Sequence, residues 1–347
     1  MMNSNNYCVI MGGGIGSRFW PYSRKNMPKQ FLDFLGTGQT LIQLTFNRYS
    51  KVVPLENIFV VTNIQYKDLV MQQLPDLPED HILLEPTRRN TAPCIAWACM
   101  HIEQINPHAN IIVAPADHLI LKDFEFIDSL TKGLEFVNDS NQLLVLGVKP
   151  TRPETGYGYI QIDEQQNDRI YKVKTFIEKP EEELAKMLIE SGEFYWNSGI
   201  FLWNVNTIMK VFNDVMPEIP QRIKQGEEGF ASCPNISIDL GILEKVNNVH
   251  VQICDIGWAD IGTWAALHEV VPKDEHQNVS LNGNNLLYNC RNNMITAPNG
   301  KLVVLQDLDN YLIADTENVL LICKKDDANA IRKYVNDVQI KLGEDYI

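Results

Sequence analysis

Glycine turns, basic side chains and isolated carboxylates are where this chain carries chemistry. A short apolar stretch runs into Met11-Gly12-Gly13-Gly14-Ile15-Gly16-Ser17-Arg18-Phe19-Trp20-Pro21. Glycines lack Cβ, so backbone N–H groups can close on a phosphate, and a nest of such groups holds an anion without side-chain charge. The spacing is not the dinucleotide fingerprint: counted from Gly12 the last glycine position is Ser17, and counted from Gly14 it is Phe19. No Gly-Lys-Ser or Gly-Lys-Thr follows, so it is not a P-loop either. A third kind of phosphate loop is predicted. Arg18, Arg24, Lys25 and Lys29 all precede the first acidic residue, Asp33, in a chain of net charge −14. A basic focus on an acidic protein is what steers a polyphosphate.

Ile111-Ile112-Val113-Ala114-Pro115-Ala116-Asp117-His118 reads as a buried strand ending in a carboxylate. Mg²⁺ takes oxygen ligands, usually one or two protein carboxylates with phosphates and water completing the octahedron, and Asp117 is a candidate for that role or for a helix cap. In Gly257-Trp258-Ala259-Asp260-Ile261-Gly262-Thr263-Trp264 a second carboxylate lies between aromatic turns that predict a rigid wall. Glu85 to Pro93, Glu154 to Tyr159, Phe176-Ile177-Glu178-Lys179-Pro180 and Trp196-Asn197-Ser198-Gly199 add carboxylates, amides and aromatic edges beside a lysine. Such groups suit a sugar phosphate: polar pairs for vicinal hydroxyls, rings for the sugar face and a cation for the phosphate. The chain has no serine-hydrolase elbow, no H-E-x-x-H and no evident Cys-His pair, which argues against covalent catalysis.

These groups need a scaffold, and its class is α/β. Strands are predicted at Tyr7–Met11, Ile58–Thr62, Ile82–Leu84, Ile111–Ala114 and Leu143–Val148. Helices are predicted between them at Thr40–Val52, Gln65–Gln73, Thr91–Ile105 and Phe124–Asn138, with Asn90 capping the third. Alternation of this kind builds a mixed, mainly parallel sheet flanked by helices, Rossmann-like in style. The region from about Pro150 to Trp264 carries helical stretches near Glu181–Ser191 and Thr207–Met216 and reads as inserted relative to the sheet. After about residue 275 closely spaced apolar runs alternate with Asn, Asp and Gly turns, and Asp326–Leu342 forms a last helix with Ala328, Ile331, Val335, Val338 and Leu342 on one stripe. Two domains are expected, 1–275 catalytic and 276–347 β-rich.

At 347 residues, 45% hydrophobic and 21% charged, the chain has the composition of a globular protein and not of a disordered or coiled-coil one. Its negative charge argues against nucleic acid or anionic membrane as partner. Seven scattered cysteines without a C-x-x-C pair fit neither a disulfide framework nor a zinc knuckle, and the first apolar stretch is too short for a signal peptide or a membrane span. A cytoplasmic protein is expected, and the β-rich tail and amphipathic last helix allow a homodimer.

Taken in order, Gly12-Gly13-Gly14-Ile15-Gly16-Ser17-Arg18 with Pro21 and Pro28-Lys29-Gln30-Phe31, Arg89-Asn90-Thr91-Ala92-Pro93, Pro115-Ala116-Asp117-His118, Phe176 to Pro180, Trp196 to Gly199 and Trp258 to Trp264 resemble the sugar-1-phosphate nucleotidylyltransferases, and among them the mannose-1-phosphate guanylyltransferases. The resemblance spans residues 12 to 264 and weakens beyond about 280, where the family's tail is a β-helix-like cap. It implies transfer of GMP from GTP to mannose 1-phosphate, with pyrophosphate leaving in line and Mg²⁺ as cofactor. By carry-over Gly12, Gly13, Gly14, Gly16, Ser17 and Arg18 wrap the triphosphate, Arg18 and Lys29 neutralise the reacting phosphates, and Asn90 and Thr91 lie near the guanine. Asp117 and Asp260 would hold Mg²⁺, the first beside the nucleotide and the second beside the sugar phosphate. Gly158, Glu178 and Asn197 would bind mannose hydroxyls and Lys179 the sugar's phosphate. Long relatives add a cupin-type isomerase domain for which this chain lacks the length, so no isomerase activity is expected. Phe19-Trp20, where many relatives carry smaller residues, fits the guanylyl branch and leaves base choice open. Transfer to fucose, heptose or glucose 1-phosphate, and a catalytically silent GDP-sugar sensor, are the alternatives.

Overall fold

The computed structural model describes residues 3–14, 16–167 and 169–347; Ile15 of the glycine run lies outside the described residues. The chain divides into two compact units: the first is Met1–Gly13, Phe46–Ala116 and Ile120–Trp258, and the second is Gly14–Thr45, Asp117–Leu119 and Ala259–Ile347.

In the first unit β1 (Asn6–Met11), β2 (Ile58–Asn63), β3 (Ile82–Glu85) and β4 (Asn110–Pro115) pair in parallel in the order β3-β2-β1-β4. Their apolar runs are buried on both faces, as parallel strands covered by helices must be. Connections from β1 leave toward β2 on one side while β4 lies on the other, so the strand order reverses at β1. At such a switch point open α/β sheets bind ligands beyond the carboxyl ends of the strands, and Gly12 follows β1 directly. The helices between these strands are α1 (Leu41–Tyr49), α2 (Lys67–Gln73), α3 (Thr91–Ile105) and, after β4, α4 (Asp123–Val137). The α3 limits match the expected ones, because Asn90, at φ 67°, accepts a hydrogen bond from the Thr91 N–H and stops the helix there.

The same sheet continues through β6 (Leu143–Val148), β7 (Tyr159–Asn167), β8 (Ile170–Ile177), β9 (Phe194–Asn204) and β10 (Val249–Cys254) in the order β4-β9-β6-β10-β8-β7. The middle region is therefore structural sheet and not an insertion beside it. Strand β9 lies antiparallel between β4 and β6, and its second half, Ile200–Asn204, is buried on both faces. The Asn197-Ser198-Gly199 interruption and a bulge against β6 mask its periodicity in the sequence. Helices α5 (Glu182–Ser191), α6 (Val205–Val215) and α9 (Ile238–Gly241) carry the intervening chain, with α7 (Glu218–Ile223) and α8 (Glu227–Ala231) between the last two.

In the second unit β12 (Val279–Leu281), β14 (Met294–Thr296) and β16 (Tyr311–Asp315) stack in parallel, and β13 (Asn284–Tyr288) stacks on β15 (Leu302–Gln306). Alternate strands pairing in parallel make the coils of a β-helix, closed by β17 (Leu320–Lys324) antiparallel to β16. Asn289 donates to Asp307 and Asn292 to Asn310, each pair 18 residues apart. All four residues sit at positive φ, a conformation that Asn and Asp tolerate best among residues with a Cβ. That 18-residue period is invisible as identity in the sequence, since only turn positions repeat. After α10 (Trp264–Val270), helix α11 (Ala328–Leu342) packs Ile331, Val335 and Val338 on the core around Phe19, Trp20, Phe34 and Trp264, whereas Leu342 of the expected stripe is exposed. None of the seven cysteines is disulfide-bonded. Among the described residues no helix is long and apolar enough to cross a membrane.

Candidate active site

The second unit gathers the charged part. After Gly14 the chain turns through Gly16 in the left-handed conformation, φ 68°, into a single helical turn, Ser17–Phe19. A Cβ at Gly16 would come within 2.4 Å of the Lys29 Cβ, so only glycine lets this turn pack against the lysine stem. Gly14 faces open space, with no atom within 4 Å of where its Cβ would stand. Lys29 is buried, its side chain 4% exposed, and its ammonium lies 2.9 Å from Asp117 Oδ2 and 3.5 Å from Asp260 Oδ1. Two aspartates 143 positions apart in sequence thus share one cation. They meet because β5 (His118–Ile120) pairs with β11 (Trp258–Asp260) in a two-stranded sheet.

Burial works against the Asp117 carboxylate, but the Lys29 ammonium outweighs it, with help from His118, and holds its pKa below the ordinary aspartate value. Burial likewise pushes the His118 imidazole below its usual value, against the pull of Asp260 and Asp117. Beside them Arg18 lies over Gly262, its Nη2 3.3 Å from the position a Cβ would occupy. Phe19, Tyr22, Phe34 and Trp264 form an edge-packed aromatic cluster that fixes the base of the turn.

Two of the four early cations serve other ends. Arg24 donates to Thr316 Oγ1 at 3.0 Å and Asn318 Oδ1 at 2.6 Å, and Lys25 pairs with Glu344 at 2.7 Å. The expected focus of four positive charges is corrected accordingly: Arg24 and Lys25 tie down the carboxyl-terminal region, because residues remote in sequence supply acceptors that a local charge count cannot see.

The first unit gathers a polar shelf. A Cβ on Gly158 would come 3.1 Å from Glu178 Oε2 and 3.5 Å from Asn197 Cβ, so these three converge. The Asn197 N–H donates to the Gly158 carbonyl at 2.8 Å, and its Nδ2 donates to Asp239 Oδ1 at 2.7 Å. Lys179, at φ 44°, pairs with Glu178 at 2.7 Å. Burial pushes the Asp239 carboxyl up to about 6, with Glu178 adding to the rise against the Asn197 hydrogen bond. Tyr157, Trp196 and Trp258 pack edge to face beside this shelf. Thr91, beside the Asn90 cap, accepts the Ile238 N–H on its hydroxyl at 2.8 Å, which ties the start of α3 to α9 and so to Asp239.

Gly12 and Gly13 also belong to this unit. The Gly12 N–H is spent on the Val61 carbonyl and its own carbonyl accepts from Thr62, so Gly12 extends the sheet edge. A Cβ on Gly13 would face Glu85 Oε2 at 3.6 Å. Glu85 is buried, 5% exposed, and burial pushes its carboxyl up to about 7 despite a hydrogen bond from Cys94 and the nearby Arg88 charge.

Asp239 carries no assignment from sequence and gave no signal there, since a short helix is unremarkable. Glu85 and Gly262 lie in segments singled out above without a role of their own; Glu85 ends β3 at the sheet's carboxyl edge.

A parallel sheet whose strand order reverses at β1, with glycines directly after that strand, is the architecture of nucleotide-binding α/β proteins. The chain belongs to the nucleotidyl transferase family, whose pattern matches residues 7–277. It is 34% identical to Mannose-1-phosphate guanylyltransferase 2 of Escherichia coli O157:H7 over 98% of this chain and 74% of that protein. Identity is also 34% to a mannose-1-phosphate guanylyltransferase of Klebsiella pneumoniae, over 97% and 75%. A crystal structure from Thermus thermophilus, described as mannose-1-phosphate geranyltransferase, superposes with a TM-score of 0.89 at 31% identity, covering 96% of this chain and 99% of that one. Within the family the chain falls in the mannose-1-phosphate guanylyltransferase group of enzymes.

Nucleotidyltransferases of this kind generally use a divalent metal ion. The donor set fits one: Asp117 and Asp260 offer only carboxylate oxygen, close enough together to flank a single ammonium. Among the described residues no group of three or more metal-ligating side chains occurs. A cation here would complete its shell from substrate and water oxygens, the habit of Mg²⁺.

Proposed function

We infer that the protein transfers GMP from GTP to α-D-mannose 1-phosphate, releasing GDP-mannose and pyrophosphate. The observation that carries this reading is the buried Lys29 ammonium shared by Asp117 and Asp260 beside the Gly14–Arg18 turn. An oxygen of the sugar phosphate forms a bond to the α-phosphorus of GTP. The bond to the bridging oxygen breaks, and pyrophosphate leaves with the electron pair. Such a transfer needs placement and charge neutralisation more than proton transfer. Arg18 bears on the charge of the reacting phosphoryl group and Lys29 on the α-phosphate and the departing pyrophosphate. Gly13, Gly14, Gly16 and Ser17 give the turn its close approach to the triphosphate. Mg²⁺, when bound by Asp117 and Asp260, supplies further neutralisation of phosphate charge.

In the first unit Glu178, Asn197 and the Gly158 backbone offer the acceptors and donors that mannose hydroxyls need, with Asp239 holding Asn197 in place and Lys179 meeting the sugar's phosphate. Guanine presents two donors on one edge, N1–H and the 2-amino group, and a carboxylate accepts both. Glu85, facing Gly13, is the group that supports guanine as the base, and Asn90 and Thr91 at the start of α3 are assigned to the same base. Unpaired thiols throughout the chain support a cytoplasmic location.

The test is pyrophosphate release measured over a matrix of four nucleoside triphosphates and several sugar 1-phosphates. GTP with mannose 1-phosphate is expected to give the highest kcat/KM. Preference for UTP or dTTP overturns the base, preference for another sugar overturns the acceptor, and absence of release with every pair overturns the activity.

A further inference from the structure

The signature turn does not stand alone in its unit. Directly after it, Trp20 is 5% exposed and its indole N–H donates to the Tyr346 carbonyl at 2.7 Å, across 326 positions of sequence. Ile347 is 8% exposed and lines a crevice of about 90 Å³ together with Ser17, Trp20, Arg24 and Val335. Glu344 pairs with Lys25 at 2.7 Å and accepts from Gln339 of α11 at 3.1 Å. An indole donor, an apolar plug and an ion pair therefore bring the segment from Glu344 to Ile347 onto the residues on either side of Arg18.

We propose that residues 344–347 are positioning residues for the transfer reaction: docked on Ser17, Trp20 and Lys25, they hold the turn in the geometry that presents Arg18. This rests on the transfer reaction proposed above. Arg18 stands between Ser17, which lines the crevice, and Phe19, fully buried against Phe34 and Trp264. On its far side Gly16 packs against the Lys29 stem. The aromatic cluster and the lysine fix the floor of the turn, while its Ser17 and Trp20 side is covered from α11 and beyond by one indole hydrogen bond, one exposed ion pair and the Ile347 side chain. A single helical turn has too few internal hydrogen bonds to keep its own shape, since forming it fixes several dihedrals for little return. Loss of the brace lets Arg18 wander, and a misplacement of about 1 Å in a charge-stabilising group costs on the order of a hundredfold in rate.

Ile347→Asp places a carboxylate in the apolar crevice, and Trp20→Phe keeps an aromatic ring while removing the donor to Tyr346. Two readouts are taken on each purified variant and on the wild type. Hydrogen exchange of the Phe19 and Trp20 amides, which donate to the Gly16 and Ser17 carbonyls, reads the brace without any substrate. Steady-state pyrophosphate release from GTP and mannose 1-phosphate reads its consequence. Exchange is expected to quicken severalfold in both variants, and kcat to fall about tenfold or more in Ile347→Asp with the KM for mannose 1-phosphate within about twofold of wild type. Lys25→Glu and Glu344→Lys should each lower kcat by up to about fivefold, the scale of one exposed ion pair, and the double swap should restore most of it. A variant that does not fold is replaced by Ile347→Ala, which enlarges the crevice without charge. Unchanged exchange at Phe19 and Trp20 overturns the brace, and faster exchange with unchanged kcat overturns its role in positioning Arg18. Inactivity of the wild type with every substrate pair defeats the transfer reading instead, and the exchange arm still decides whether residues 344–347 restrain the turn.

Discussion

Lys29→Met keeps the length and apolar stem of the side chain and deletes only its charge. The ammonium stands 2.9 Å from one aspartate and 3.5 Å from the other, so at an effective dielectric of about 20 each attraction is on the order of 5 kcal/mol before desolvation is counted. Desolvation takes back much of that. Removing one partner of a buried pair costs about 3–5 kcal/mol, and with the aspartate side chains 31% exposed the lower figure applies here. The assay is urea unfolding at pH 7 of Lys29→Met, Asp117→Asn and the double variant. Each single substitution should lose about 3 kcal/mol and the double little more than either alone, a coupling within the range of about 0.5–3 kcal/mol seen for residues in contact. Millimolar magnesium chloride should recover part of the loss in Lys29→Met, where the two carboxylates face each other without a cation. The sign of the acid response follows from the depressed Asp117 pKa. Its pairing adds stability above the unfolded value, about 3.9, and that stability is lost as pH falls through the lower folded value. This acid limb should flatten in Lys29→Met. Strictly additive losses, or a steep acid limb that survives the substitution, would show that the three residues do not act as one charged unit.

Gly262→Ala should displace the Arg18 guanidinium, which lies 3.3 Å from the added methyl, and lower kcat about tenfold with little change in Tm, as read by steady-state kinetics and thermal unfolding. Gly158→Ala brings a methyl 3.1 Å from Glu178 Oε2; the KM for mannose 1-phosphate should rise about tenfold while that for GTP stays near wild type. Burial pushes Glu85 from 4.5 up to about 7, so its carboxyl favours folding below the unfolded value and withdraws that support as pH rises through about 7. Glu85→Gln should therefore be more stable than the wild type at about pH 8 in urea titrations, with the advantage gone by about pH 4. In the wild type, GTP should bind more tightly at about pH 8 than at about pH 6, because guanine donors want the ionised carboxylate, and calorimetric titration of Glu85→Gln should lose that trend.

The residues legible in sequence were those whose neighbours are local. Asn90 could be read as a cap because a cap bonds within its own turn, and the Thr91–Ile105 helix has the expected limits for that reason. The five strands read between Tyr7 and Val148 were legible because strands buried on both faces announce themselves as short unbroken apolar runs, whereas the three-residue β5 was too short to do so. Strand β9 was not, since Asn197-Ser198-Gly199 breaks its pattern at the point where its side chains turn from packing to the polar shelf. Asp117 and Asp260 were both singled out, yet their sharing of Lys29 depends on β5 meeting β11, a pairing no local pattern contains. The same holds for Arg24 and Lys25, whose partners Thr316, Asn318 and Glu344 lie some three hundred positions on. Charge counted along a chain records supply and says nothing of where the demand arises.

The asparagine ladders of the β-helix bear on how this tail can change length. Asn289 over Asp307 and Asn292 over Asn310 are in step because this coil takes 18 residues, three more than the 15 that separate β12 from β14. Deleting a few residues inside a rung would pull left-handed positions out from under the side chains that tolerate them and leave the buried amide of Asn293 without the carbonyl of Leu308. Growth or shrinkage by a whole turn of the solenoid keeps every stack aligned. Such a tail behaves like a staircase whose flights can differ in height while the landings that carry each stack stay in line.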